Sequence, residues 1–246
     1  MKILAFDTAM QSCSVALTED SRLLAEVNLV NTETHSRHLA GLIRDVCRMA
    51  RTELSELDGY AVTRGPGSFT GLRIGISTAI GLAQASGKPL AGVSTLHVLA
   101  VQAAVPSQLV CPMIDARRGE VYVSLFRYAK QQLLSKQPEQ VLMPKNAIET
   151  IGESCIFVGS GAVLYNSEII EMLGESAHFA SEMNNTIRAA TVASLAHKRL
   201  SSGEADDIMH FTPIYLRRSD AEINNIDRQK PAIGPAGTKG LMKLTR

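Results

Sequence analysis

Two aspartates stand where an apolar strand gives way to a turn, a position from which a carboxylate can bind a metal-bound phosphate. Asp7 closes the run KILAFD and Asp115 closes the run CPMID. In a two-domain protein, such carboxylates can face the cleft between the domains and hold the metal through water. The alternative is structural, because Asp readily accepts hydrogen bonds from the backbone of its own turn. The sequence leaves both interpretations open.

Two glycine-containing turns extend this candidate nucleotide site. Gly65 and Gly67 belong to GPGSFTG, which lies between a predicted strand and a predicted helix, so its backbone N–H groups are suited to an anion. The run contains neither a lysine nor G-x-G-x-x-G spacing, so it is not a Walker A loop or a dinucleotide fingerprint. Gly159 and Gly161 follow another apolar strand, where an adenosine or a phosphate can approach the backbone closely. A plain tight turn explains this second pair at least as well.

The histidines and arginines show no spacing that assembles a catalytic or metal centre. His35 and His38 begin a predicted helix, where simple exposure explains them, and His97 stands alone on an apolar helix, as a packed histidine does. Four arginines follow one side of the first helix: Arg37, Arg44, Arg48 and Arg51. They can face an acidic partner, RNA phosphate or only solvent. We predict no metal ligands and no catalytic residue.

Composition is that of a folded protein with two domains of roughly 100 residues each and a tail. Of the 246 residues, 45% are hydrophobic and 20% charged, which is too apolar for general disorder. The sequence has no apolar run of about 20 residues, no signal peptide and no paired cysteine spacing, so we predict a cytoplasmic protein without membrane contact. The net charge is +1, and residues 217–246 hold seven basic against three acidic residues. The body is therefore slightly acidic, and we expect any RNA to be held through a partner.

Apolar periodicity predicts the element order β-β-β-α-β-α as far as about Ser86. The segments FDTAMQSCSVAL and IDARRGEVYVSL then share an apolar strand ending in Asp, a tight turn and an alternating strand. This likeness predicts a duplicated unit, with coincidence as the alternative. We therefore expect domains over residues 1–105 and 106–216, followed by a mobile, Pro/Gly-rich tail over 217–246. Further predicted elements are a first helix over about 34–51 capped by Thr34, a second over 70–86, helices near 145–152 and 186–200, and a strand in CIFVGSG.

The second predicted helix is apolar nearly all round, which points to a protein partner. Leu72, Ile76 and Ala79 form one stripe, while Ile74 and Leu82 point elsewhere. An outer-layer helix of a small domain is covered on one side only, so the remaining apolar surface predicts a second chain. Gly71 and Gly75, one turn apart, would let a partner helix approach closely. The predicted partner-binding residues are Leu39, Leu42, Val46, Gly71, Leu72, Gly75, Ile76, Ala79 and Ile80.

With RGPGSFTGLRIG at residues 64–75, the sequence closely resembles the TsaB family. Shorter matches follow in order along the chain: FDTA at 6–9, GVSTL at 92–96, IDARRGEVY at 114–122, VGSG at 158–161 and PIYLR at 213–217. The resemblance implies an α/β, two-domain actin-like/hexokinase-like ATPase superfamily fold, built from duplicated ββαβα-type units with mixed sheets.

The resemblance also implies a function. Members of this family are scaffold subunits for tRNA threonylcarbamoyladenosine formation, which bind the catalytic subunit TsaD and the ATPase TsaE. They also form homodimers, and both kinds of pairing use the two first-domain helices. TsaD-like paralogues carry a His-x-x-x-His metal pair where this chain has only His97, so we expect no cofactor of its own, with ATP or ADP possible at the complex interface. The alternatives are an active metal-dependent hydrolase or kinase of the same superfamily, and a stand-alone homodimeric nucleotide-binding module.

Overall fold

The computed structural model describes residues 1–30, 35–129 and 132–217. Twelve strands and seven α-helices lie in these ranges. The strands are β1 Lys2–Asp7, β2 Ser12–Glu19, β3 Arg22–Val30, β4 Gly59–Gly65, β5 Leu90–Ser94, β6 Leu109–Arg117, β7 Glu120–Val123, β8 Phe126–Ala129, β9 Gln132–Lys136, β10 Gln140–Leu142, β11 Cys155–Val158 and β12 Ala177–Phe179. The helices are α1 His35–Met49, α2 Phe69–Ser86, α3 Thr95–Ala103, α4 Pro144–Glu149, α5 Ser160–Leu164, α6 Asn166–Leu173 and α7 Ala189–Ser201. Short 3-10 turns lie at Leu54–Glu56, Gly174–Ser176, Glu182–Asn185 and Ile208–His210.

The predicted duplication is present in the sheet topology. The first sheet has the order β3-β2-β1-β4-β5, and the main path of the second has the order β10-β7-β6-β11-β12. In both sheets the first three strands are antiparallel and the last three run parallel. The added strands β8 and β9 form an antiparallel pair on β6. The two hairpins that share the strand-Asp-turn pattern, β1-β2 and β6-β7, thus occupy the same place in each sheet.

Each sheet places its alternate residues in two different cores, as a strand with a side-chain period of two requires. On the first sheet, Leu4 and Phe6 pack beneath α1 and α2, whereas Ile3 and Ala5 face α3 and α7. The core around α3 and α7 also takes in Val110, Ile114 and other side chains of the second sheet. Residues Met1–Leu216 therefore form one compact unit.

The element order as far as α2, the duplicated unit and the four helices with predicted bounds agree with the sequence prediction to within a few residues, whereas α5, α6 and several short strands were not predicted. Helix α2 begins after Ser68, whose Oγ accepts the backbone N–H of Gly71 at 3.2 Å, and ends at Gly87 with φ +66°. The division at residues 105 and 106 falls between β5 and β6 and stays a prediction. Thr34 and the tail over 218–246 lie outside the described residues. No helix within the described ranges has the length and apolar character needed to cross a bilayer.

Candidate functional site

Asp7 is completely buried at the end of β1 and caps its own turn. Its Oδ1 accepts the hydroxyl of Thr63 at 2.5 Å and the backbone N–H of Ala9 at 3.1 Å. Among the described residues, its Oδ2 has no hydrogen-bond partner. Burial raises the pKa of Asp7 from 3.8 to about 6, against the opposing effect of the hydrogen bonds from Thr63 and the backbone. The carboxylate is therefore enclosed by protein.

Asp115 repeats this turn-capping geometry in the second sheet. Its Oδ1 accepts the backbone N–H of Arg117 at 2.8 Å, two residues on, just as Asp7 does with Ala9. Its own backbone N–H donates to Ser160 Oγ at 3.1 Å. Its side chain is 21% exposed and lies 3.7 Å from the Arg117 guanidinium. The structural interpretation of the strand-Asp-turn pattern thus holds at both positions, and a role in nucleotide binding stays a prediction.

The space beside the β1-β2 turn, where the glycine-rich loop could admit an anion, is occupied by the chain itself. A Cβ added at Gly67 would lie 2.4 Å from the carbonyl oxygen of Ala9, and one added at Gly71 would lie 1.9 Å from that of Thr8. At Gly75 it would lie 2.4 Å from Thr8 Oγ1. These contacts are far shorter than any real Cβ makes, so the three glycines let α2 pack directly on this turn.

Two N–H groups of the same loop are used internally. Ser68 N donates to the carbonyl of Ala9 at 2.7 Å, and Gly71 N donates to Ser68 Oγ. Gly65 has φ +120°, and a Cβ there would lie 2.6 Å from the carbonyl oxygen of Ile214. Both predicted phosphate-binding glycines of this loop, Gly65 and Gly67, are therefore in close contact with protein backbone.

Gly159 and Gly161 likewise allow close packing on the backbone of the second sheet. Gly159 has φ +103°, and its added Cβ would lie 2.5 Å from the carbonyl oxygen of Met113 on β6. The added Cβ of Gly161 would lie 3.0 Å from the carbonyl carbon of the same residue. The Gly159 N–H donates to Asn185 Oδ1 at 2.7 Å. Helix α2 thus packs through glycine on the turn that follows Asp7, and the start of α5 packs through glycine on β6, the strand that bears Asp115.

The enclosed Asp7 and the packed loop over residues 65–71 do not fit the nucleotide and metal that an actin-like fold implies. The acidic side chain nearest to the glycine loop is enclosed, and the loop is packed on backbone. Over the described ranges, no group of three or more His, Cys, Asp or Glu side chains is placed to hold a metal ion. His97 stacks on Phe126, with ring centroids 5.4 Å apart, and burial lowers its pKa to about 4. It is a packed histidine, as the sequence indicates.

Sequence reasoning missed a strap formed by residues 206–215, which closes the edge of the first sheet. Asp206 anchors it: its Oδ2 accepts the backbone N–H of Gly92 at 2.7 Å and the Arg199 guanidinium at 3.2 Å. Its Oδ1 lies 3.6 Å from the guanidinium of Arg64. The charges of two arginines thus meet at one carboxylate beside the edge strand β5.

Arg64 fixes the rest of the strap. Its Nε donates to the carbonyl of Thr212 at 2.7 Å, its guanidinium lies 4.9 Å from the ring centre of Phe211, and its carbonyl accepts the N–H of Ile214 at 2.8 Å. The strap ends where Tyr215 stacks on Phe69 of α2 at 4.9 Å. The sequence contains both partners of this contact as separate motifs, RGPGSFTG and PIYLR, but no sequence pattern predicts that the two motifs touch.

Comparison with known proteins identifies the family of this chain. The sequence model of the family described as TsaD, tRNA N6-adenosine threonylcarbamoyltransferase, matches residues 23–225. The tRNA threonylcarbamoyladenosine biosynthesis protein TsaB of Bacillus subtilis is 31% identical over 236 residues, which cover 94% of this chain and 100% of the relative. The chain belongs to the TsaB family. This family takes part in the biosynthesis of tRNA threonylcarbamoyladenosine.

Solved structures place the TsaB-family chain in the actin-like, hexokinase-like ATPase fold. A Pseudomonas aeruginosa protein described as similar to peptidase YEAZ is 32% identical and superimposes with a TM-score of 0.77 over 88% of this chain and 99% of its own. Component A of (R)-2-hydroxyglutaryl-CoA dehydratase from Acidaminococcus fermentans is 11% identical, with a TM-score of 0.51 over 82% of this chain and 99% of its own. The second likeness concerns the fold alone.

The structure also decides which stripe of each helix in this TsaB-family chain faces outward. Of the nine residues predicted to bind a partner, only Leu42 and Ile80 are partly exposed. The others are buried in the core beneath the helices or against the β1-β2 turn: Leu39, Val46, Gly71, Leu72, Gly75, Ile76 and Ala79. This corrects the expectation for Gly71 and Gly75, because the element that approaches them closely is the chain's own turn. The exposed residues of α2 include Arg73, Ser77, Gly81 and Ala85, whereas Ile74 and Leu82 are partly buried against the core beneath the helices.

Proposed function

We propose that this chain is a non-catalytic scaffold subunit for threonylcarbamoyl transfer to the adenosine next to the anticodon of tRNAs that read codons beginning with A. It binds and supports a TsaD-type catalytic subunit, together with a TsaE-type ATPase. Membership of the TsaB family supports this proposal, as does the match of residues 23–225 to the TsaD sequence model. The chain contacts tRNA only through the complex.

The observation that carries the scaffold role is the enclosure of Asp7. A carboxylate that is 0% exposed cannot hold a metal-bound phosphate without rearrangement of the protein around it. The loop over residues 65–71, which would have to cradle that phosphate, packs instead on the carbonyl groups of Thr8 and Ala9. Gly67 and Gly71 thus support α2 rather than a ligand. The buried Asp7 therefore has a structural role in this proposal, because it accepts hydrogen bonds from its own turn and from Thr63.

The partner surface in this proposal is the outward side of α1 and α2. Both helices pack on one face of the first sheet and contact each other, and the strap contacts α2, so the open surface is what these three contacts leave uncovered. In the absence of the catalytic subunit, the same surface supports a homodimer. Any ATP or ADP binds at an interface of the complex and not in a cleft of this chain.

Two measurements test the proposal. The purified chain, supplied with zinc, iron or magnesium, should show no peptidase, kinase or threonylcarbamoyl-transfer turnover above an Asp7→Ala control. The chain should also co-purify with a TsaD-type subunit, and it should restore threonylcarbamoyladenosine, measured by mass spectrometry of tRNA nucleosides, in a bacterium depleted of TsaB. Turnover by the isolated chain would favour the hydrolase or kinase alternative. Failure to bind the catalytic subunit would favour a stand-alone homodimeric module.

A further inference from the structure

Positive charge is concentrated on the two helices of the proposed partner surface. Helices α1 and α2 together contain four arginines and one aspartate, and α2 has no acidic residue at all. The rest of residues 1–216 holds 14 lysines and arginines against 20 aspartates and glutamates. The near-zero net charge of the whole chain therefore conceals a basic helix pair on an acidic body.

The arginines lie on the outward side of these helices. Arg44 and Arg48 are 79% and 77% exposed, and Asp45, which is 3.8 Å and 3.3 Å from their guanidinium groups, is the one carboxylate that both approach among the described residues. Small exposed residues accompany them on both helices. We call this surface the helix-pair face, defined by Ala40, Arg44, Arg48, Arg73, Ser77, Gly81 and Ala85.

Arg73 is held in place at one end of the helix-pair face. Its guanidinium carbon lies 3.9 Å from the ring centre of Phe69, and its Nε donates to the hydroxyl of Tyr215 at 3.2 Å. Within the described residues, its two terminal nitrogens make no hydrogen bond or ion pair. A guanidinium fixed in this way loses little freedom when it binds a carboxylate through those two nitrogens.

We propose that the helix-pair face selects an acidic face of a protein partner over a second copy of this chain. The inference rests on the proposed function, since it assigns a chemistry to the partner surface described there. A two-fold homodimer places the same patch of each subunit against itself. Arg44, Arg48 and Arg73 of one copy would then approach the same arginines of the other, and like charges facing each other are unfavourable. An acidic partner reverses the sign of every such contact.

Opposite salt dependence of the two associations follows from this charge distribution. Salt shortens the range of charge interactions from about 10 Å at 0.1 M to about 3 Å at 1 M. Over that range, analytical ultracentrifugation should show self-association of the purified chain strengthening by about threefold or more in Kd. Binding to the TsaD-type subunit, measured by titration calorimetry, should weaken by about tenfold or more.

A charge-reversal pair supplies the decisive variant. Arg44→Glu with Arg48→Glu should weaken binding to the TsaD-type subunit by about tenfold or more at 0.1 M salt, because partner carboxylates would now meet carboxylates. The neutral pair Arg44→Gln with Arg48→Gln should show an intermediate loss. The matched control is Lys145→Glu with Lys198→Glu, which changes the net charge equally at exposed positions of α4 and α7. It should change binding by less than about twofold.

The outcomes separate the inference from the proposed function. Unchanged binding by a folded Arg44→Glu, Arg48→Glu protein would refute the charge selection while leaving the scaffold role in place. Unchanged binding combined with loss of tRNA from the complex would overturn the inference in favour of RNA phosphate as the occupant. If the unaltered chain does not bind the TsaD-type subunit at any salt concentration, the proposed function itself is wrong.

Discussion

Replacement of Asp7 by Asn should stabilise the protein at neutral pH, in spite of the position of this residue in the strand-Asp-turn motif. Asn keeps the acceptor oxygen that receives the Thr63 hydroxyl and the Ala9 N–H, and it has nearly the same shape. It removes a charge that the buried site disfavours, and we expect this gain to exceed the cost of placing the amide NH₂ group where Oδ2 has no hydrogen-bond partner. We therefore expect the Asp7→Asn protein to fold and to be the more stable of the two at pH 7.5.

The magnitude follows from the shift of the Asp7 pKa from 3.8 to about 6. At about 1.4 kcal/mol per pKa unit, the ionised carboxylate costs roughly 3 kcal/mol of unfolding free energy above pH 6. Because the pKa of the folded state is the higher one, the stability associated with the protonated carboxyl group is fully present below pH 3.8. That stability is lost as the pH rises through about 6, so the advantage of Asn grows with pH.

Urea unfolding of both proteins at pH 4.5 and pH 7.5 measures this effect. About 2 kcal/mol of the expected difference develops between these two values, since part of the unfolded-state titration is complete at the lower one. The same comparison with Asp115→Asn, at the equivalent turn of the second sheet, corrects for the loss of one negative charge. An Asp7→Asn advantage that does not change with pH would refute the reasoning, because it would mean that burial does not act through the charge.

Three further predictions concern packing. Gly71→Ala should lower the unfolding free energy by about 3 kcal/mol, because its Cβ would overlap a carbonyl oxygen. Gly81→Ala has open space around the added Cβ and should raise the unfolding free energy by about 0.5–1 kcal/mol. Thermal melts compare the two variants. Asp206→Ala should cost about 1–3 kcal/mol by releasing the strap, and the exposed neighbour Asp207→Ala should cost less, as urea titration will show. Truncation after Asp220 should leave the melting temperature nearly unchanged, since the residues removed have no apolar stripe; a large fall would contradict this.

Local periodicity was sufficient to predict the longer elements of the first domain and the duplicated hairpin, but not α5, α6 or the short strands β9, β10 and β12. Strands and helices depend on the spacing of apolar residues along a few turns of chain, and that spacing is written in the sequence. The order β-β-β-α-β-α, the start of α2 near Ser68 and the repeat of the strand-Asp-turn unit all belong to this class. The family likeness could be predicted for the same reason, because RGPGSFTGLRIG is one contiguous run.

The roles of individual site residues depended on distant contacts. The sequence showed Asp7 at the end of a strand, but Thr63, which donates to its carboxylate, and the glycines that pack on its turn, Gly67 and Gly71, lie some sixty residues away. In the same way, the contact of Arg64 with Thr212 joins positions that are 148 residues apart in the chain. No local pattern encodes either contact.

The sequence by itself thus determined the kind of protein this is: its elements, its duplicated unit and its family. The tertiary structure alone decided which face each residue presents. Leu72 and Ile76 are buried and Ile74 is only partly buried, although all three are apolar and lie on one helix. The sequence of a helix that is apolar on every side does not predict which side is buried, because the sheet that the helix covers determines that side.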